Sequence, residues 1–455
     1  MGSPHSLSSL ELLEPETQAL ILCHISTAKA LHSLISASPR FYQVFKSRRE
    51  YHLTQLAKQQ CGYSPSAWTA ITASKLPRPL SVSAADKFID TFLDDDGWEV
   101  TIMPLDVSIP MIRLGRSLEW FIPDFARDSL RNLTHLKSLM GLQQDGLVLH
   151  SELSKVETSR IRRAFSRFEL STHICKLKSD DISRLEFEDQ NKRFLLQLEP
   201  DEIEEIASVR DYMIRRLWAI FDQIEDDLVQ GAQAGQVPKV FQAMQLLPDS
   251  ENWFGVHAKE KHMDIMEHML FRGLSFLQDV FTADKERCVE LVFLASAETA
   301  ESSDESLTET LKWLDAKDPD EAYKFRDCMV HDESMFRDRV EDPSLGWLWI
   351  KMEGTMYYPG SYVRKGPSDW GYIFWSRDRL RASGIFDVYR GDIFDYLFDD
   401  RNRYLEPCAL KRLRDSSIVR NLRTFGPTDY DGDGTPAGDE EYYRDYFDEE
   451  RADGN

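Results

Sequence analysis

Glycine and proline are both scarce in this chain, at 22 and 19 of 455 residues, against usual frequencies of about 7% and 5%. That shortage excludes collagen-like and low-complexity sequence and favours helix. Cysteine is scarcer still: Cys23, Cys61, Cys175, Cys288, Cys328 and Cys408 are scattered with no C-x-x-C pair. Neither a disulfide framework nor a zinc-binding spacing results, and unpaired cysteines suit a reducing compartment, cytoplasmic or nuclear. The longest apolar stretch, Leu291 to Ala297, includes Ser296, whereas a spanning helix needs about 20 such residues, so no membrane partner is expected. Glu11, Glu14 and Glu16 stand where a secretory signal would be basic and then apolar, which argues against secretion. Met1-Gly2-Ser3-Pro4-His5-Ser6 fits the loose myristoylation pattern, but no polybasic patch follows to strengthen a single acyl anchor.

Positive charge is also in short supply, with 55 Lys and Arg against 78 Asp and Glu and a net charge of −23. The average surface repels phosphate, and no basic stripe stands out along the chain, so no nucleic-acid partner is expected. The G-x-S-x-G elbow, the G-x-x-x-x-G-K-[ST] loop, the G-x-G-x-x-G fingerprint and H-E-x-x-H are all missing. The common local signatures of hydrolase, nucleotide, dinucleotide and zinc-peptidase chemistry are thereby removed, and no cofactor is implied. An active site of dispersed residues would escape this test. His257, His262 and His268 lie five and six residues apart, which does not suit one helical face, and they read as surface or satisfied core histidines. Arg160, Arg162, Arg163 and Arg167, interleaved with Ile161, Ala164 and Phe168, read as a salt-bridged solvent face rather than a phosphate reader.

What is present is a helical protein in three parts. Residues 1–62 are close to neutral, 63–426 alternate apolar helical patterns with short Pro, Gly or Ser punctuation, and 427–455 are acidic with few aliphatics. The last part cannot bury enough apolar surface to order itself and reads as a disordered, solvated tail. Within it, Asp429, Asp431, Asp433, Gly434 and Glu440 match the spacing of a calcium-binding loop, but Pro436 sits at its eighth position and no second loop follows. The clearest helix starts after Pro200, with Asp201 as its expected cap and Gly231 as its expected stop. Its apolar residues Ile203, Ile206, Met213, Leu217, Ile220, Ile224 and Leu228 define one face. A short hairpin is the one departure from helix, expected within Tyr357 to Trp375.

The first 62 residues read as three short helices. Pro15 and Glu16 suit a first helical turn, and Leu20, Ile21, Leu22 and Ile25 then point nearly all round the helix. A unit of about 60 residues buries only about 60% of its unfolded surface, so leftover apolar residues are material for a partner contact. Leu31 and Leu34 mark a second helix, and Ser38-Pro39 starts a third that carries Phe41.

Leu13-Glu14-Pro15-Glu16, Ile21 to Ile25, Leu31 to Leu34 and Ala37 to Tyr42 together resemble a divergent F-box, a three-helix module of roughly this size. Proline stands one position late, and Phe41-Tyr42 replaces a common tryptophan. The order of this module, Ser154 to Phe168, the Asp201 helix, Gly346 to Trp349 and Asp369 to Tyr372 is similar to that of uncharacterised fungal F-box-like proteins. The resemblance implies docking onto the Skp-type linker subunit of a cullin-RING ubiquitin ligase through Leu13, Pro15, Glu16, Leu20, Ile21, Leu22, Ile25, Leu31, Leu34 and Phe41. The helical body 63–426 would then hold an unknown substrate protein, without enzymatic activity of its own. Trp347, Trp349, Trp370 and Trp375 are the candidate substrate-binding residues, with ordinary core packing as the other reading. The alternative for the whole chain is a stand-alone helical scaffold or interaction protein with no ligase role.

Overall fold

A computed structural model of the chain describes residues 9–77, 82–92, 101–139, 152–174, 194–195, 197–233, 258–299, 344–347 and 367–385. Every regular element among the described residues is helical, so the protein is mainly α. The myristoylation pattern at Met1 to Ser6, Trp349, and the tail 427–455 with its calcium-loop spacing lie outside the described residues.

Four short helices come first: α1 (Pro15–Cys23), α2 (Ala28–Ala37), α3 (Pro39–Ser47) and α4 (Arg49–Gln60). Pro15 opens α1, the Thr27 hydroxyl accepts from the Ala30 N–H at the start of α2, and the Ser38 hydroxyl accepts from the Phe41 N–H ahead of Pro39 in α3. Leu22, Leu31, Phe41, Phe45 and Leu56 form a small core of their own. The turn before α1 is pinned by the Gln18 amide, which donates to the Leu13 carbonyl at 3.1 Å, and by the Ser38 hydroxyl, which donates to the Glu11 carboxylate at 2.6 Å.

The body is built on α7 (Leu105–Leu139), which follows α5 (Pro65–Ser74) and α6 (Val82–Phe92). Val107, Met111, Leu114, Leu118, Phe121 and Phe125 recur along α7 in steps of three and four and are all buried. Gly115 lets α4 cross α7 closely, since a Cβ there would lie 2.5 Å from the Gln60 Cβ. α8 (Lys155–Ile174) packs on α5, α7 and α9 (Pro200–Gln233), α10 (Ala258–Leu270) packs on α9, and α11 (Leu274–Thr282) bridges α7 to α10 and α12 (Lys285–Thr299). Aromatic rings tie the layers: Phe121 lies 5.5 Å from Phe165 of α8, and Phe125 lies 5.2 Å from Tyr212 of α9, edge on.

The expected face of α9 is buried at Ile206, Met213, Leu217 and Ile224 and half-buried at Ile203 and Ile220. Both of its expected ends are corrected. Glu199 sits at the cap position, its carbonyl accepting from the Ile203 N–H and its N–H donating to Glu202, so Asp201 falls inside the first turn. The helix also passes through Gly231 to Gln233, because one glycine inside a long helix costs only about 1 kcal/mol.

The chain returns at its far end to close the bundle. Pro367–Trp370 is one 3₁₀ turn, and α13 (Arg377–Ser383) starts at the Ser376 cap and ends at Gly384 in the left-handed region. The described part of the expected hairpin, Gly371 to Trp375, is therefore a turn and not a strand. Gly371 takes φ +64°, its carbonyl accepts from the Phe374 N–H, and a Cβ on it would meet the Ser129 hydroxyl at 3.1 Å. Consecutive side chains here, Tyr372, Ile373, Phe374 and Trp375, are all buried, which a strand with one solvated face would not allow.

Candidate interaction surface

The residues expected to dock a partner divide by burial. Leu22, Leu31 and Phe41 fill the small core, while Ile21, Ile25 and Leu34 are packed half-buried against it. Leu13 is half-buried; Pro15, Glu16 and Leu20 are exposed. Leu20 is 61% exposed, and Leu12, Leu10 and Tyr42 are exposed at 66%, 48% and 44%. Leu10, Leu12 and Tyr42 are additions to the expected set. Their exposure follows from the turn before α1, held against α3 by the Arg40 guanidinium donating to the Glu11 carbonyl at 2.6 Å.

The small core is not sealed off from the body. Leu56 belongs to it, yet Ala57 and Cys61, immediately after, belong to the main core, and Ile112 of α7 packs against both. The Thr54 hydroxyl accepts from the Met103 N–H at 2.8 Å. The division expected at residue 62 thus follows α4, the helix through which the two cores meet.

Between α2, α3, α4 and α7 lies a half-open groove of about 940 Å³. Its floor includes Leu31, Ile35, Phe45, Leu53, Ile109 and Ile112. Around it stand Lys29, Lys46, Arg49, Arg113 and Arg116, all exposed, with Glu119 the one acidic lining residue among the described residues. No linear stretch displayed this basic cluster, because its members come from four helices. The Gln60 side chain also lines the groove, with its Oε1 buried and without a hydrogen-bond partner.

The described tryptophans take the core-packing role. Trp347, Trp370 and Trp375 are at most 2% exposed. The Trp347 indole donates to Glu204 Oε2 at 2.9 Å and the Trp375 indole to the Trp370 carbonyl at 2.7 Å, which satisfies both in place. Glu204 also accepts from the Tyr372 hydroxyl.

Several charged side chains in the body are buried and paired. The arginine cluster of α8 is not a solvent face: Arg160 is 1% exposed, and Arg163 and Arg167 face α9. Arg163 forms a fork with Glu205 at 2.5 and 3.1 Å, and Arg167 reaches both Glu205 and Glu202. The first turn of α9, rich in acids, sits opposite α8, which turns the arginines inward. Asp201, in the same turn, is pushed up to about 7 by burial first and by the Glu205 charge second, against the pull of Arg163.

Glu157 is the residue that sequence reasoning passed over. Its carboxylate accepts from Arg379 Nε at 2.7 Å and Nη2 at 2.9 Å, from the Ser376 N–H at 3.0 Å, and from the Ser154 N–H at 2.8 Å. Burial raises its pKa, but these donors outweigh burial and hold it at about 2. The Ser154 hydroxyl in turn accepts from the Glu157 N–H, a capping box that Ser154-Lys155-Val156-Glu157 displays in the sequence.

No arrangement of three or more metal-ligating side chains occurs among the described residues. His262 is buried and packed on Phe221, and His257 lies outside the described residues. Cys23 Sγ lies 3.5 Å from His52 Nδ1, but burial raises the thiol and lowers the imidazole, so both are held neutral rather than as a thiolate pair. No helix among the described residues is long and apolar enough to cross a membrane. Comparison with protein-family models, curated proteins and solved structures returned no match.

Proposed function

We propose that α1 to α3 form an F-box-like docking module that carries the chain onto the Skp-type linker of a cullin-RING ubiquitin ligase, with the helical body selecting the protein to be modified. The observation that supports this reading is the small core of Leu22, Leu31, Phe41, Phe45 and Leu56, which leaves Leu20 61% exposed on the first helix. An exposed leucine gains about 1.5–3 kcal/mol of gross burial in a contact. The substrate would be met by a surface other than the buried tryptophans.

Leu20→Asp tests the reading, because the side chain is on the surface and the change leaves the fold intact within about 0.5 kcal/mol. Purified linker and full chain should co-elute at micromolar concentration, and the variant should not. Failure of the unmodified chain to bind the linker overturns the proposal. Leu22→Asp is the wrong test, since Leu22 is 2% exposed and the small core would go with it.

The scaffold reading draws support from α4, which contributes to both cores. It predicts that removing residues 1–47 lowers the melting temperature of the body, whereas a docking module comes away with the melting unchanged.

A further inference from the structure

The basic groove between α2, α3, α4 and α7 stands out on a chain of net charge −23. Lys29, Lys46, Arg49, Arg113 and Arg116 crowd its rim, and none has an ion-pair partner among the described residues. Two of these cations sit where a helix dipole disfavours them, Lys29 in the first turn of α2 and Arg49 at the first residue of α4. The α2 start, through Thr27 and Ala28, also lines the groove and adds its own positive end. Such a concentration of positive potential suits an anionic occupant. The aliphatic floor and the unpartnered Gln60 Oε1 ask that occupant for apolar side chains and for one hydrogen-bond donor.

We propose that the occupant is this chain's own segment 439–450, docked in cis. The segment carries Asp439, Glu440, Glu441, Asp445, Asp448, Glu449 and Glu450 against Arg444, with Tyr442, Tyr443, Tyr446 and Phe447 among them. Within twelve residues the segment thus combines four aromatic rings with seven carboxylates. Apolar rings meet the floor, carboxylates meet the rim, and a tyrosine hydroxyl or backbone N–H meets Gln60. Reach is not limiting, because residues 386–438 lie between the last described helix and the segment and extend to well over 100 Å at about 3.3 Å per residue. A nucleic acid would satisfy the rim but not the aliphatic floor.

Zero-length carboxylate-to-amine cross-linking of the full chain, read by mass spectrometry, tests the proposal. Expected are links from Lys29 or Lys46 to carboxylates within 439–450. Their yield should fall roughly tenfold in Arg113→Glu/Arg116→Glu and again in Glu440→Lys/Glu441→Lys, and return when the two pairs are combined. All four changed side chains are either exposed or in the tail, and circular dichroism verifies that each variant stays helical. Absence of these links in the unmodified chain overturns the proposal. So do links formed only between isotopically light and heavy copies, which make the occupant a second chain. Binding of a single-stranded oligonucleotide at the groove, lost in Arg113→Glu/Arg116→Glu while the tail links are missing, overturns it in favour of nucleic acid. None of these outcomes depends on whether the ligase linker binds.

Discussion

The two cores of this protein differ in how they treat charge. The small core of α1 to α4 is five apolar side chains with half-buried aliphatics around them. The main core is threaded by ion pairs, among them Glu157 with Arg379, Glu205 with Arg163, and Arg215 with Asp369 and Asp128. A buried ion pair adds little net stability over a well-packed apolar pair, yet losing one partner is expensive. Such pairs therefore discriminate between arrangements more than they strengthen one. In the body they join segments far apart in the chain, and the pairs to Arg379 and Asp369 seat the returning C-terminal turn in one register. Among the described residues the small core is held instead by apolar packing, with Leu10, Leu12 and Leu20 exposed beside it.

The largest effect that separates the two regions should come from Glu157→Ala. It leaves Arg379 buried without its partner and strips the α8 cap, at a cost of about 3–5 kcal/mol. Thermal melting of the body should fall steeply, and replacing both Glu157 and Arg379 by Met should recover much of it. Acid acts on the same group. Glu157 has a folded pKa of about 2, below the ordinary glutamate value of 4.5, so its contribution is present above about pH 4.5 and fades as pH falls through 2. Phe41→Ala opens a cavity of similar nominal cost, about 3–5 kcal/mol, but in a core that a few helices share. Hydrogen exchange should show α1 to α3 losing protection while α7 to α9 keep theirs. Equal loss in both regions would erase the distinction and favour the single-scaffold reading.

Much of this division was legible before the structure. The α1 and α3 starts at Pro15 and Ser38 follow cap and proline chemistry that acts over a few residues, and the α9 face follows from spacing alone. The failures have one physical source. A periodic pattern says which face is apolar, but not what opposes the other face. Arg163 and Arg167 therefore read as solvent-facing until α9 brought Glu202 and Glu205 across from them. The basic groove was invisible for the same reason, since its rim is assembled from four helices. Gly371 to Trp375 read as strand because alternating apolar residues also suit a turn buried on every side. The expected docking residues divide by burial, which periodicity on so short a helix did not resolve: Leu20 faces out, whereas Leu22, two residues on, faces in.

The smallest and sharpest test of the contrast is Asp201→Asn. Among the locked charges of the body Asp201 is the misfit, placed beside Glu205 and Glu202 and only partly compensated by Arg163. Its folded pKa of about 7 lies above the ordinary aspartate value of 3.8, so the folded protein holds this proton more tightly than the unfolded chain does. Folding is then undisturbed by Asp201 below about pH 3.8, loses stability as pH rises between 3.8 and 7, and carries the full penalty above 7. Asparagine keeps the shape and cannot ionise. The variant should melt a few degrees higher than the parent at pH 8, match it near pH 4, and show a flatter stability curve between those limits. A variant less stable at pH 8 would mean that the Arg163 attraction outweighs burial at this position, and that Asp201 belongs with the locks rather than against them.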